Sequence, residues 1–248
     1  DDLKIFVEYG MLSDDKFAEK AKSFALVKNT DGKYYTLDEL KEQLAPLQTN
    51  KDGKVVALYT HSLEEHFSFV KQAKDRGYQV AIIDGPLAPH WISKIEQSIE
   101  NIQFARVDAD TLDHLIQKEG ELPSKLTEEQ QNSLKPLFES TVNAQKFKVE
   151  FKSMAATDAP IIITQPEFIR RMMEQQRTGG GGFFGAFPET YNLVVNANHA
   201  KVESLLQMND ESEKTTKVKQ LTDLALLSQG MLKGEELTNF IERSIEFI

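Results

Sequence analysis

The part of the chain that most constrains the fold is residues 54–116, where buried-strand patterns alternate with helical ones. Val55-Val56-Ala57-Leu58-Tyr59 is typical of a buried strand, and further strands are predicted over residues 79–84 and 103–107. Helices are predicted between them and over residues 112–116. Because strands that alternate with helices pair in parallel through right-handed crossovers, this segment predicts a small three-layer α/β/α unit.

Capping signals and breakers mark the ends of several helices. Residues 1–30 are predicted to be helical, and Thr36 with Glu39 forms a capping box that begins another helix. Ser62 with Glu65 predicts a further helix that Gly77 ends. Gly and Pro in residues 119–125 interrupt both periodicities, which predicts a linker.

After the linker, strands and helices no longer alternate strictly. Thr127 and Gln130 form a capping box on a predicted helix that ends near Val142. Strands are predicted over residues 147–151, 161–163 and 192–195, and helices over 166–176, 199–208, 215–229 and 235–247. We therefore expect two domains, an α/β domain over residues 1–120 and an α+β domain over residues 121–248 that ends in a helix pair.

Composition argues against several functional classes. The 248 residues carry 39 acidic and 29 basic side chains, a net charge of −10, whereas nucleic-acid binding requires clustered Lys and Arg. The absence of cysteine excludes disulfides, thiolate metal sites and cysteine nucleophiles. No apolar run approaches the roughly 18 residues of a membrane-spanning helix. We expect neither a nucleic-acid nor a membrane partner.

No arrangement of catalytic residues emerges from the motifs. The turn after the first strand of the α/β unit, Thr60-His61-Ser62, lacks the glycines of nucleotide-binding loops, and the run Gly179–Gly182 precedes no Lys-Ser or Lys-Thr. None of the five histidines stands four residues from another, so helical zinc ligation is unsupported, and His61 and His66 are interpreted as surface or capping residues. We predict no catalytic residue, metal site or cofactor in these residues.

An amphipathic helix is predicted to begin at Thr164-Gln165-Pro166-Glu167, which forms a capping box with a proline in the first turn. Phe168 and Met172 form one row at helical spacing, and Ile169 and Met173 form the next. Such a stripe either faces a core or forms a binding surface. The glycine run and the aromatic segment that follow favour an adaptable apolar surface for binding other chains. The residues predicted to form it are Phe168, Ile169, Met172, Met173, Phe183, Phe184 and Phe187.

The last two predicted helices carry an apolar stripe that continues to the final residue. It either packs against its own domain or is completed by a two-fold copy in a four-helix bundle, and we favour the homodimer. The residues predicted to form the interface are Leu221, Leu224, Leu227, Phe240, Ile241, Ile245 and Ile248.

Several stretches resemble the bacterial HtpG branch of the ninety-kilodalton heat-shock chaperones. The C-terminal stretch Leu-Thr-Asp-Leu-Ala-Leu-Leu-Ser-Gln-Gly over residues 221–230 and Asn-Phe-Ile-Glu-Arg over 239–243 are similar to the end of that family. So is Asp-Ala-Pro-Ile-Ile over residues 158–162, with the amphipathic helix after it. Residues 35–39, 55–83 and Trp91 resemble the end of its middle domain. The resemblance covers essentially the whole chain.

The resemblance implies the end of a middle domain followed by a C-terminal dimerisation domain. It implies that Phe168, Met172 and Met173 contact non-native client proteins, that Trp91 is an exposed client-contacting aromatic, and that the protein is a cytoplasmic stress-response chaperone. ATP and Mg²⁺ would bind an N-terminal domain upstream of these residues. Because the chain begins at Asp1 inside an amphipathic segment, we expect it to be a piece of a longer protein.

Two alternatives remain open from the sequence. One is a dimerisation or scaffold module without a client surface of its own. The other is a nucleotide-binding α/β enzyme built on the parallel unit.

Overall fold

A computed structural model describes residues 3–120, 122–179 and 189–245, and the side chains of all of these except 175–179. The helices in chain order are α1 Lys4–Ser13, α2 Asp15–Ala21, α3 Leu37–Gln48, α4 Phe67–Asp75, α5 Ala88–Ser98, α6 Leu112–Leu115, α7 Glu128–Glu139, α8 Glu167–Gly179, α9 Ala200–Ser204, α10 Glu211–Ser228 and α11 Gly234–Ile245. The strands are β1 Leu26–Asn29, β2 Tyr34–Thr36, β3 Val55–Thr60, β4 Val80–Ile82, β5 Ile102–Arg106, β6 Phe147–Lys152, β7 Ile161–Thr164 and β8 Tyr191–Asn196.

The chain divides into two compact units, and the first contains Asp1–Glu119 and Glu167–Phe187. Its five-stranded sheet has the order β2-β1-β4-β3-β5. The predicted parallel pairing is confirmed for β3 with β4 and with β5, but β1 runs antiparallel to both β2 and β4. The helix predicted over residues 1–30 is therefore wrong after Ala21, because β1 and β2 are too short to show a clear period.

The core of the first unit lies on both faces of β3, all six residues of which are buried. Ile92 and Ile95 of α5 and Leu40 of α3 are also almost fully buried. Burying each such side chain contributes about 1.5–3 kcal/mol, so the central strand and its flanking helices dominate the stability of this unit.

Two of the four predicted capping boxes form as expected. The Thr36 hydroxyl accepts a hydrogen bond from the Glu39 N–H while the Glu39 carboxylate accepts from the Thr36 N–H, and Thr127 with Gln130 does the same. The Ser62 hydroxyl accepts from the Glu65 N–H at 3.2 Å, but α4 begins only at Phe67. Residues 63–66 form turns instead of the first helical turn that the box predicted. The box predicted at Thr164 is wrong, because the Thr164 hydroxyl is buried without a hydrogen-bond partner among the described residues.

The second unit contains Gly120–Pro166 and Pro188–Ile248. Its sheet has the order β6-β8-β7, with β8 parallel to β6 and antiparallel to β7. Helices α7, α10 and α11 contribute Phe138, Val218 and Phe240 to one hydrophobic core with Leu193 of β8. The predicted helix over residues 199–208 is α9 followed by a short 3₁₀ turn, Leu205–Gln207.

The fold is thus mixed α/β, with two mixed sheets. Helix α8 groups with the first unit, although β6 and β7 of the second unit precede it in the chain. Within the described ranges, no helix combines the length and the apolar composition needed to cross a bilayer.

Candidate functional site

Helix α8 packs on the first unit with its charged face inward. The Arg170 residue is 4% exposed, whereas Phe168, two positions earlier, is 71% exposed. Core-facing amphipathic helices normally bury the apolar side chains and expose the charged ones. The sequence left open the alternative that the apolar stripe of α8 faces a core. The structure has the opposite orientation, in which charged side chains face the unit.

The buried face is held by a network centred on Glu167. Its carboxylate accepts hydrogen bonds from Arg170 and from Nε of Arg171 at 2.6 Å, and from the backbone N–H of Arg106 at 3.3 Å. Arg170 also donates to the Tyr59 hydroxyl of β3 and to Glu174. Because buried charges are stabilised only when paired, this network orients the helix.

The same network sets the protonation of its members. Burial alone would raise the pKa of Glu167, but the positive charges of Arg170 and Arg171 outweigh it and hold that pKa below its ordinary value. Burial, together with the nearby Glu167 charge, raises the pKa of Tyr59. At neutral pH the carboxylate is therefore ionised and the phenol is protonated, as the hydrogen bonds require.

Arg171 provides the second anchor of α8. Its guanidinium donates to the Glu96 carboxylate of α5 at 2.7 and 3.1 Å and to the backbone carbonyl of Phe104 at 2.7 Å. Glu96 in turn accepts from the Phe104 N–H at 2.7 Å. The spacing of Glu167, Arg170 and Arg171 is the signal in the sequence that could have revealed this inward charged face.

The apolar side chains of α8 are left outside both cores. Phe168 is exposed, and Ile169, Met172 and Met173 are half-buried. Within the described part of the chain, none of these four belongs to the hydrophobic core of either unit. Phe168 is therefore the one exposed member of these four, and the role of the four as a binding surface stays a prediction.

A cavity of about 290 Å³ lies at the carboxyl ends of the parallel strands, lined in part by Arg106 and Arg170. Ligands of open α/β sheets commonly bind in such a position. Here Arg106 pairs with Asp108 and Glu174, and Arg170 pairs with Glu174 and Glu167. Because carboxylates already neutralise both guanidinium groups, the lining does not favour a phosphate.

The expectation that Trp91 is exposed is wrong. Its side chain lies in the core of the first unit at 4% exposure, with its ring 6.3 Å from that of Phe104. Its indole nitrogen lies 3.4 Å from the Met11 sulfur, in contact with a residue 80 positions earlier in the sequence. No pattern in the sequence predicts this contact, and the buried indole does not match the exposed aromatic that the resemblance implied.

A second apolar surface lies on α10 and α11. Leu224 and Leu227 are 48% and 40% exposed, and Ile241 and Ile245 are 49% and 65% exposed. Leu221 is half-buried against the core of its unit. Phe240 differs from the prediction: it is 7% exposed inside that core, because it lies on the inward side of α11.

An ion-pair cluster fixes α11 against α10. Asp223 of α10 is 1% exposed and pairs with Lys219 and with Arg243 of α11. Arg243 also donates to the Gln220 amide at 2.7 Å. The cluster holds the two helices in the arrangement that leaves the four exposed side chains uncovered.

The remaining predicted residues, Phe183, Phe184, Phe187 and Ile248, lie outside the described residues.

Comparison with known proteins identifies relatives along the whole chain. A protein named Chaperone protein HtpG from Porphyromonas gingivalis is 43% identical over 216 residues, which is 86% of this chain and 32% of the relative. Proteins of the same name from Bacteroides fragilis and Bacteroides thetaiotaomicron are 34% and 33% identical, and each match covers 100% of this chain and 46% of the relative. No model of a protein family matches.

All three relatives carry the name of a chaperone. The chain belongs to the HtpG family, the bacterial branch of the ninety-kilodalton heat-shock chaperones, as its sequence resemblance indicated. Its matches cover from 32% to 46% of the length of these curated relatives. The alignments with the two Bacteroides proteins are longer than this chain of 248 residues, so each relative has residues within the matched region that this chain lacks.

Proposed function

We propose that these residues form the part of an HtpG-type chaperone that binds non-native protein, and that the outward apolar face of α8 is a contact surface. The observation that carries the proposal is the orientation of α8, which buries Arg170 and leaves Phe168 71% exposed. Exposed large apolar side chains next to flexible thioethers suit partners of many shapes. Non-native proteins are partners of this kind, because they expose varied apolar segments.

The proposed function includes a homodimer formed through α10 and α11. Leu224, Leu227, Ile241 and Ile245 would pack against their copies around a two-fold axis and complete a four-helix bundle. Two α8 surfaces in one dimer would raise the affinity for a single client through effective concentration. Weak contacts on each protomer would then suffice to hold an unfolded chain.

The family resemblance supports a finer assignment of the two halves. Residues 1–120 correspond to the end of a middle domain, and residues 121–248 to a C-terminal dimerisation domain. We propose that ATP and Mg²⁺ bind, and that ATP is hydrolysed, in a part of HtpG-type proteins that lies outside these residues. The protein is proposed to act in the cytoplasm.

The test is suppression of aggregation of a thermally unfolded model protein by the purified chain. The variant Phe168→Ser/Met172→Ser/Met173→Ser is expected to lose most of the suppression, because it replaces three of the four apolar side chains without touching the arginine anchors. The matched control is Phe67→Ser on α4, since Phe67 is 65% exposed on the same unit. Neither set of changes lies in a core, so both proteins should remain folded by circular dichroism.

Equal suppression by the triple variant and the wild type would refute the client surface. Together with an intact dimer, that result would favour the scaffold alternative. Binding of labelled ATP to the chain would instead support the nucleotide-binding alternative, and we expect none.

A further inference from the structure

Three side chains that could bind a metal ion come together beside the turn after β3. One ligand atom from each of His61, Glu65 and His66 lies within 4.8 Å of the other two. Histidines five residues apart do not share a face of an α-helix. They approach here because residues 63–66 form turns and α4 begins only at Phe67.

The hydrogen bonds of Thr60 determine which nitrogen of His66 is free. The Thr60 hydroxyl has one proton and lies 2.8 Å from the carbonyl oxygen of Ser62 and 2.9 Å from Nδ1 of His66. When the hydroxyl donates to Ser62, Nδ1 of His66 donates to the hydroxyl. A neutral ring in this tautomer carries its lone pair on Nε2.

That lone pair faces a carboxylate. Nε2 of His66 lies 3.5 Å from Oδ2 of Asp108, which is buried and accepts hydrogen bonds from Arg106 at 2.5 and 2.7 Å. Arg106 is the cation that already pairs with this carboxylate, so Asp108 adjoins the cluster without being one of its three candidate ligands.

The other two side chains are open to solvent. Nε2 of His61 lies 2.9 Å from a carboxylate oxygen of Glu65, and these side chains are 40% and 67% exposed. The rings of His61 and His66 lie 4.7 Å apart at 86°. Two of the three candidate ligands are therefore accessible to a metal ion from solvent.

We propose that His61, Glu65 and His66 bind a divalent transition metal, of which Zn²⁺ is the best match, with Asp108 as the adjoining carboxylate. Two imidazole nitrogens and one carboxylate are a common zinc ligand set, and they leave a fourth position for water. Zinc–ligand bonds of about 2.0–2.1 Å in a tetrahedron place ligand atoms about 3.4 Å apart. The ligand atoms lie within 4.8 Å of one another, so binding would draw them closer through rotation of the exposed His61 and Glu65 side chains. The proposal does not depend on the α8 surface or on dimerisation.

The test is calorimetric titration of the metal-free chain with ZnCl₂, using protein without a histidine tag. The wild type is expected to bind one Zn²⁺ per chain. His61→Ala and Glu65→Gln are expected to weaken binding at least about tenfold each, as the loss of metal-site groups commonly does. The matched control is His114→Ala, because His114 is also an exposed histidine beside a carboxylate, 3.5 Å from Asp110, but lies outside the cluster.

The two cluster variants change only exposed side chains, so they should fold normally, which circular dichroism would verify. Co²⁺ provides a second measurement, since tetrahedral coordination by nitrogen and oxygen gives visible absorption that the His61→Ala protein should lack. Absence of saturable binding to the wild type would overturn the proposal. So would an equal affinity for Zn²⁺ in the wild type, His61→Ala and Glu65→Gln proteins, or a loss of affinity as large in His114→Ala.

Discussion

The anchoring of α8 by Arg171 makes a quantitative prediction about Glu96→Gln. The substitution keeps the shape of the side chain and one acceptor for the Phe104 N–H, but it removes the charge that faces Arg171 at 2.7 and 3.1 Å. Hydrogen bonds to charged groups contribute about 1.5–3 kcal/mol. Both side chains retain some exposure, 19% for Arg171 and 23% for Glu96, so we expect a loss of about 2 kcal/mol.

Amide hydrogen exchange of α8 measures this loss. An isolated helix of 13 residues is marginal in water, so its amides should exchange when the helix leaves the first unit. A loss of about 2 kcal/mol in the free energy of opening corresponds to exchange about 30 times faster. The amides of β3, in the core of the same unit, should exchange as in the wild type.

The control is Asp75→Asn on α4, which removes an ion pair with Lys71 in which both side chains are 63% exposed. Exposed pairs contribute little, so exchange should not change measurably. If Glu96→Gln left the exchange of α8 within threefold of the wild type, the reasoning about the anchor would be refuted.

Three further predictions follow from single groups. Ile245→Asp removes an apolar side chain that is 65% exposed from each half of the proposed dimer, about 2–4 kcal/mol in total. Light scattering should therefore show a dimer dissociation constant raised at least about 30-fold, while Leu122→Asp, 46% exposed in the same unit, should leave it unchanged. Glu8 is buried and burial raises its pKa above 4.5, so its ionisation destabilises the folded state. Glu8→Gln should therefore have a higher melting temperature than the wild type at pH 7. The difference in melting temperature should vanish below about pH 4.5, where Glu8 is protonated in both states. The pKa of Glu167 is lowered in the folded state, so the ionised carboxylate stabilises the fold above the ordinary pKa of 4.5. This stabilisation is lost as the pH falls below 4.5. The protection of α8 amides should therefore decrease below pH 4.5 in the wild type but not in Glu167→Gln.

Local signals in the sequence predicted the local structure well. The Thr36 and Thr127 capping boxes form because each needs only four consecutive residues. The strand patterns at Val55 and Ile161 are confirmed because buried apolar runs leave few other structures. β1 and β2 were missed because they have four and three residues, too few to distinguish from a frayed helix.

The errors at the candidate sites come from contacts between distant residues. The orientation of α8 depends on Tyr59 and Glu96, which lie 111 and 75 positions from their arginine partners. The burial of Trp91 depends on Met11, and the approach of His61 to His66 depends on where α4 begins. Periodicity identifies an apolar face, but it does not indicate which neighbouring element covers the opposite one.

The measurement that tests the central claim most directly is photo-crosslinking from position 168 to an unfolded client protein. A photoreactive phenylalanine analogue would replace Phe168 in one protein and Phe67 in another, since the two positions are 71% and 65% exposed. The outward face of α8 predicts strong crosslinks from position 168 that excess unlabelled client removes, and few from position 67. Crosslinking of equal strength from both positions, or none from position 168, would contradict the assignment of α8 as a client surface.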